Sequence, residues 1–422
     1  MTVKHTSTTL FALATAAALV AVSAVPASAA ELDYHVHPIA IRSQLSPGTI
    51  AHGLTPAQCL ADSGGEFACQ TPDSIRAAYR IPAEIDGVPA GTGQTIVIVD
   101  AFGSPTVRED LAAFSAAFGL PAAHLNVIYP GGTPIWNGHG TQLGWAQETS
   151  LDVQWAHAVA PGATIDLVVA ANDHGTTIDL AQQYAVDHHL GAVMSMSFGV
   201  TEADVRGNNG QMSQVHKVYQ DAAAQRMSLF ASSGDNGSDN GAGFANYSYP
   251  ASDRLVTSVG GTNLLYGSGL TGPRETVWGD YALCATTCAD GPIGATGGAA
   301  SLLTAKGGSD VAYNASVYTG VLTYLGFMGA GANGFYYMGG TSAGAPQWAG
   351  ITADVVQATG HRIGDVSSYT RSWAGSNTLF DVTVGSNSTP TFAAGYSATA
   401  GWDRPTGYGT PDVQAIIDAL RG

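Results

Sequence analysis

The sequence predicts an α/β fold: a parallel central sheet with helices on both faces. Two observations carry this. Between residues 95 and 233, short runs rich in β-branched residues alternate with longer segments of helical period, and strands that alternate with helices form parallel sheets needing cover on both sides. After about residue 260 the chain turns rich in Gly, Ser, Thr and Tyr, which predicts further β-structure and long loops. There is no internal repeat, so one large domain is more economical than two, although it exceeds the usual single-core size.

The elements follow in order. "TIVIVD" (95–100) predicts a strand, "REDLAAFSAAF" (108–118) a helix, "LNVIYP" (125–130) a strand, "LGWAQETSLDVQWAHAVA" (143–160) a helix and "TIDLVVA" (164–170) a strand. Helix "TIDLAQQYAVDHH", strand "AVMSMS", helix "QMSQVHKVYQDAAAQ" and strand "SLFASS" continue the alternation. A last helix is expected after Ser342, in "YYMGGTSAGAPQWAG" (336–350).

Upstream, residues 1–29 read as a secretory signal: a cation at Lys4, an apolar run from Leu10 to Val25 and small residues at Ala27, Ser28 and Ala29. The run is too short to span a bilayer, and an exported protein is expected. Residues 30–74 read as an irregular extension, with 75–422 as the main domain. The even cysteine count in an exported chain favours disulfides, with Cys59 and Cys69 flanking one short loop and Cys284 and Cys288 another.

Charge narrows the partners. With 32 acidic and 15 basic residues the net charge is −17, a poor match for nucleic acid or an anionic membrane. Charged residues make up only 11% of the chain, against about 25% in ordinary domains. Scarce ion pairs mean that little stability is lost when carboxylates take up protons, so the composition suits acid surroundings. Glycines in "GTGQ" and "GGTNLLYGSG" read as turns, since no lysine-bearing helix follows them.

In open α/β sheets functional groups gather at the carboxyl ends of strands. "TIVIVD" delivers Asp100 there, "SLFASSGDNG" delivers Asp235, and the turn before "TSAGAP" delivers Ser342. On the 143–160 helix, about 100° per residue places Trp145, Glu148, Asp152, Trp155, Ala156 and Val159 in one stripe, with Gln147, Ser150, Gln154 and His157 on the other side. A Glu and an Asp four apart ordinarily share a solvated face. Their tryptophan neighbours argue instead for burial, and buried paired carboxylates share protons and suit acid–base work.

"ETSLD", "AHAVAPGA", "SSGDNG" and "GTSAGAP", in that order and spacing, resemble the sedolisin, or serine-carboxyl peptidase, family from about residue 72 to the C-terminus. The resemblance implies a subtilisin-like fold and an exported, acid-active endopeptidase acting on protein or peptide substrates as a monomer. Ser342 would be the nucleophile, Glu148 the general base, Asp152 the group that orients it, and Asp235 an oxyanion donor with the Ser342 N–H. Such chemistry suits acid. A histidine base is protonated well below its pKa of about 6.5, whereas paired carboxylates still accept a proton near pH 4, and an aspartic acid used as a donor must stay neutral.

The chain departs from its relatives at several points: glycine at 339 and 344 where some members have serine, Phe198 where several have tryptophan, and Asp100, a possible outer support of the base, where relatives carry glutamate. Only about 45 residues separate the signal from the family match, too few for a large propeptide.

Two other readings stay open. A subtilisin-type enzyme would use Asp100, His139 and Ser342, and "NGHGTQLG" resembles the histidine segment of that family; it leaves Glu148 and Asp152 unexplained. An inactive exported binding protein on a protease fold is the third.

The resemblance also implies a structural Ca²⁺ near the C-terminus, held by the carboxylates of Asp381 and Asp403 and the carbonyls of Val382, Thr399 and Gly401. Calcium prefers six or more oxygens drawn from carboxylates, carbonyls and water.

Overall fold

In the computed structural model, residues 1–2, 32–36, 39–45, 49–50, 53–206, 209–265, 274–280, 295–390 and 392–421 are described. Residues Glu31–Gly422 form one compact unit. The expected alternation is present with ends shifted by a few residues. The elements are β1 (Ile39–Arg42), β2 (Thr95–Ala101), α1 (Val107–Phe118), β3 (His124–Ile128), α2 (Thr141–Val159), β4 (Thr164–Ala170), α3 (Gly175–Asp187), β5 (Val193–Met196), α4 (Asn209–Ala224) and β6 (Ser228–Ser232). The C-terminal half adds β7 (Thr257–Leu265), β8 (Arg274–Val277), β9 (Val311–Asn314), β10 (Val321–Leu325), β11 (Gly334–Gly339), α5 (Gly344–Thr359) and α6 (Val413–Arg421).

The main sheet runs β8-β7-β6-β5-β2-β4-β3, with β9 also paired to β7. All its pairings are parallel except β7 with β8. Period 2 in β2 explains the two-sided cover: Ile96 and Ile98 enter one core with Leu151 and Trp155 of α2 and Trp348 of α5. Val97 and Val99 enter the other, with Ile178 of α3 and Tyr219 of α4. Each such buried Ile or Val contributes roughly 1.5–3 kcal/mol.

The described residues between 32 and 74 include regular elements where an irregular extension was expected. β1 pairs antiparallel with β11, which pairs with β10. Two short helices, Pro56–Asp62 and Pro72–Tyr79, begin at threonine caps, Thr55 and Thr71, each followed by proline. Such helices of one to two turns carry too few residues for periodicity to register, and the caps are their whole signal. A disulfide joins Cys59 and Cys69. Cys284, Cys288 and nearly all of the 1–29 stretch lie outside the described residues.

A second correction concerns α2. From Trp145 to Val159 every residue except Gln147 is buried, including the side that carries Ser150, Gln154 and His157. The helix lies between α1, α5, β2 and β10, and its polar groups find partners there. Gln154 exchanges two hydrogen bonds with the Tyr324 backbone at 2.8 Å, and His157 Nε2 meets the Pro121 carbonyl at 3.0 Å. Burial lowers the His157 pKa to about 4. Among the described residues, no helix is long and apolar enough to cross a membrane.

Candidate active site

Three chain segments meet at the carboxyl edge of the sheet. β11 ends at Gly339, and Gly340 turns the chain at φ 114°. A Cβ at Gly340 would lie 2.6 Å from Asp235 Oδ2, so both dihedral and space call for glycine. A 3₁₀ turn, Thr341–Ala343, then presents Ser342 at the start of α5. Serine at 339 or 344 does not fit this backbone. A Cβ at Gly339 would approach the Ala315 carbonyl to 2.6 Å, and one at Gly344 would approach Val259 Cγ1 to 2.7 Å.

Asp235 follows β6 and is tied to the serine turn. Its Oδ1 accepts from the Thr341 N–H at 2.8 Å and the Thr341 hydroxyl at 2.7 Å, while the Gly234 N–H donates to Thr341 Oγ1 at 3.1 Å. Ser342 Oγ donates to the Ser197 carbonyl at a long 3.4 Å. Ser342, Asp235, Ser197, Phe198 and Gly199 line a cavity of about 60 Å³.

Beneath the turn, Glu148, Asp152 and Asp100 are fully buried. None of their six carboxylate oxygens completes a hydrogen bond of ordinary geometry. Burial therefore dominates their titration. It raises Glu148 well above its usual value, against the nearby Ser342 hydroxyl, and the charges of Asp100 and Asp235 push it further up. Asp152 is raised by burial and by the charges of Asp100 and Glu148, with the Ser197 hydroxyl opposing. Asp100 is raised to about 7 by burial, with the Thr149 hydroxyl opposing. These carboxyls lie within electrostatic reach of one another, so the titration of each depends on the charge of its neighbours.

Ser342, Glu148, Asp152, Asp235 and Asp100 thus fall in one neighbourhood. His139 has a different setting: it sits on an exposed loop, with Nδ1 2.6 Å from the Asn137 carbonyl. Thr341 and Ser197 were not singled out in the sequence. Thr341 stands beside Ser342 in "GGTSAGAP" and was within reach of the motif; Ser197 is brought in by the sheet alone.

Four of the five residues expected to hold calcium, Asp381, Thr399, Gly401 and Asp403, lie together. Asp381 Oδ2 accepts from the Gly401 N–H at 2.8 Å. Asp403 Oδ2 accepts from the Thr399 N–H at 3.1 Å, and its Oδ1 from Thr406 N–H and O–H at 2.9 and 2.8 Å. Burial raises the Asp403 pKa, the Thr406 and Thr399 donors oppose the rise, and the Asp381 charge adds to it. Two neighbouring carboxylates suit a hard cation, while the contacts that Thr399 and Gly401 make with them run through backbone N–H groups.

A mostly parallel sheet with helices on both faces, and a serine turn at its carboxyl edge beside buried acids, defines a subtilisin-like serine peptidase fold. The subtilase family matches residues 128–409. Kumamolisin from Bacillus sp. (strain MN-32) is 30% identical over 371 residues, covering 83% of this chain and 63% of that protein. Sedolisin from Pseudomonas sp. (strain 101) is 28% identical over 366 residues, covering 80% and 60%. The solved structure of Pseudomonas sedolisin, a serine-carboxyl proteinase complexed with two molecules of pseudo-iodotyrostatin, matches with a TM-score of 0.71 at 26% identity, covering 83% of this chain and 98% of that one. The chain belongs to the subtilase family and, within it, to the sedolisins. It spans about three-fifths of the length of these two curated relatives.

Proposed function

We propose that the protein is an exported, acid-active serine-carboxyl endopeptidase. The observation that carries this reading is the placement of Glu148, fully buried and without a cation, beside the Ser342 hydroxyl. Glu148 in its ionised form takes the Ser342 proton as Oγ attacks the substrate carbonyl. Asp152, sharing protons with it, holds the base in position, and Asp100 supports the pair from behind. The oxyanion accepts hydrogen bonds from the Ser342 N–H at the start of α5 and from a protonated Asp235. Because Asp235 Oδ1 already accepts both Thr341 bonds, Oδ2 is the oxygen suited to carry the donated proton. Glu148 then returns its proton to the leaving amine, and water resolves the acyl-enzyme by the same route reversed. Acid pH keeps Asp235 neutral, and the proton that Glu148 passes to the leaving amine is the one it took from Ser342.

Residues 1–29 would serve as the export signal, with 30–74 kept on the enzyme and anchored by the Cys59–Cys69 bridge. Ca²⁺ would be held by Asp381, Asp403 and the carbonyls of Val382, Thr399 and Gly401, tying two C-terminal loops together. Substrates would be unfolded proteins or peptides, taken by a monomer.

Digestion of denatured casein at acid and alkaline pH, with wild type and Ser342→Ala, tests the reading. Cleavage at acid pH that disappears in the variant is expected. Equal cleavage by the variant would sink it.

A further inference from the structure

Lysine is scarce in this chain, confined to Lys4, Lys217 and Lys306, yet one of the three points inward. The Lys306 side chain is only 9% exposed, and lysines are rarely buried without partners. Its Nζ meets four oxygens. These are the carbonyls of Val256, Ala251 and Asp253 at 2.5, 2.9 and 3.3 Å, and Asp310 Oδ2 at 2.7 Å. Ala251, Asp253 and Val256 are themselves buried.

Two loops are shaped to make this cage. Residues 251–256 lead into β7 and residues 306–310 into β9, parallel neighbours in the sheet. Asp310 is fixed between them: Ser258 N–H donates to its Oδ2 at 2.8 Å, and its own N–H donates to the Ser258 carbonyl at 3.0 Å. The Thr304 hydroxyl adds a bond to the Ser252 carbonyl. Between Thr304 and Lys306 the backbone of Ala305 is left-handed, with φ 62°. That conformation is costly for a residue with a Cβ and persists where its surroundings impose it.

The cage suits a spherical ion better than the group that fills it. An ammonium has three N–H donors, one fewer than the oxygens that converge on it. Carbonyl oxygens gathered round a single positive charge are the means by which proteins replace the hydration shell of an alkali ion, and one carboxylate balances that charge. Burial raises the Asp310 pKa, opposed by the charge and hydrogen bond of Lys306 and by the Ser258 N–H, while the Asp365 charge adds to the rise. The cation in the cage thus favours the ionised carboxylate that completes it.

We infer that these four oxygens form a site for a monovalent alkali cation, and that the native chain fills it with its own tethered ammonium, Lys306. The inference is independent of the peptidase reading above. Without the ammonium, three buried carbonyls and a carboxylate lose their donor, a costly state that potassium or sodium can relieve. A dissolved ion is released when its carboxylate takes up a proton. A tethered one stays, so this junction of two loops holds together without drawing a metal from solution.

The test uses the full chain with chelator present. Wild type, Lys306→Ala and Lys306→Met are melted at pH 7 in potassium, sodium or choline chloride of equal ionic strength. Wild type should melt at the same temperature in all three salts. Lys306→Ala should melt about 3 °C or more higher in potassium or sodium than in choline, with a saturable dependence on the alkali ion. Lys306→Met, whose apolar stem keeps the cage filled, should melt below wild type with no preference among the salts. If Lys306→Ala does not fold in choline, its refolding yield from denaturant reads the same equilibrium and should recover only with the alkali ions. Crystals of Lys306→Ala soaked in rubidium chloride should show the ion among the carbonyls of Ala251, Asp253 and Val256. Equal melting and refolding of Lys306→Ala in all three salts, a shift of the same size in wild type or Lys306→Met, or a cage without rubidium, overturns the inference.

Discussion

Two regions of this protein use the same residue types and ask opposite things of them. Under the serine turn, Asp100, Glu148 and Asp152 lie in an apolar interior with no completed hydrogen bond and no cation, and burial drives them to hold protons. In the C-terminal loops, Asp381 and Asp403 instead accept from backbone N–H groups, which at Asp403 oppose the rise that burial causes. The difference teaches that the setting of a carboxyl is local: one region leaves its acids without hydrogen-bond donors, while the other supplies them.

The largest effect should come from the buried region. Glu148→Gln is expected to lower turnover on the order of 10⁴-fold, with His139→Ala close to wild type, both read as kcat on a peptide substrate at acid pH. The reverse pattern would hand the chemistry to an Asp100, His139 and Ser342 arrangement and dissolve the comparison at its source.

Stability should follow the same division. A carboxyl whose folded pKa is raised binds protons more readily in the native state, so its contribution is complete below the unfolded value and is lost as pH rises through the folded one. Asp100 at about 7, and Asp110 and Asp280 at about 6 each, all raised chiefly by burial, therefore favour acid. His157, lowered to about 4, opposes them: its contribution is present above about 6.5 and is lost as pH falls through about 4. The carboxyls outnumber it. With chelator present, the melting temperature should be higher at pH 4 than at pH 7, by on the order of 5–10 °C, and Asp100→Asn should narrow the gap. A protein that melts higher at pH 7 under these conditions would contradict the assignment.

The smallest effect belongs to the C-terminal loops and has the opposite sign. Proton uptake by Asp381 and Asp403 competes with the metal, so chelation should lower the melting temperature by roughly 5 °C near neutrality and by less at pH 4. Asp381→Ala should abolish the chelator effect. Equal melting with and without chelator at pH 7 would mean that these two aspartates serve only as caps for Gly401, Thr399 and Thr406.

What was legible in the sequence follows the range of the forces involved. β2, α1 and β4 announce themselves because their β-branched runs and helical periods are local and long, and Glu148, Asp152, Asp235 and Ser342 because they lie in α2, just after β6 and just before α5. The wheel over α2 found the buried carboxylates but not the burial of Gln154 and His157, since a helix enclosed on all sides can satisfy polar groups through partners, such as Tyr324 and Pro121, remote in sequence. Ser197 carries no signal of its own. Only the assembled sheet brings it to Ser342.

The pairing of β1 with β11 reaches into the order of folding. Ile39 lies opposite Gly339, a separation of 339 − 39 = 300 residues, and Gly339 is followed at once by Gly340, Thr341 and Ser342. Contacts so distant in sequence are slow to form because the intervening loop must close first. The strand that leads into the serine turn thus gains its outer neighbour only when an early segment of the chain returns to it. A nascent chain that has not yet made β11 has no edge for β1 to join.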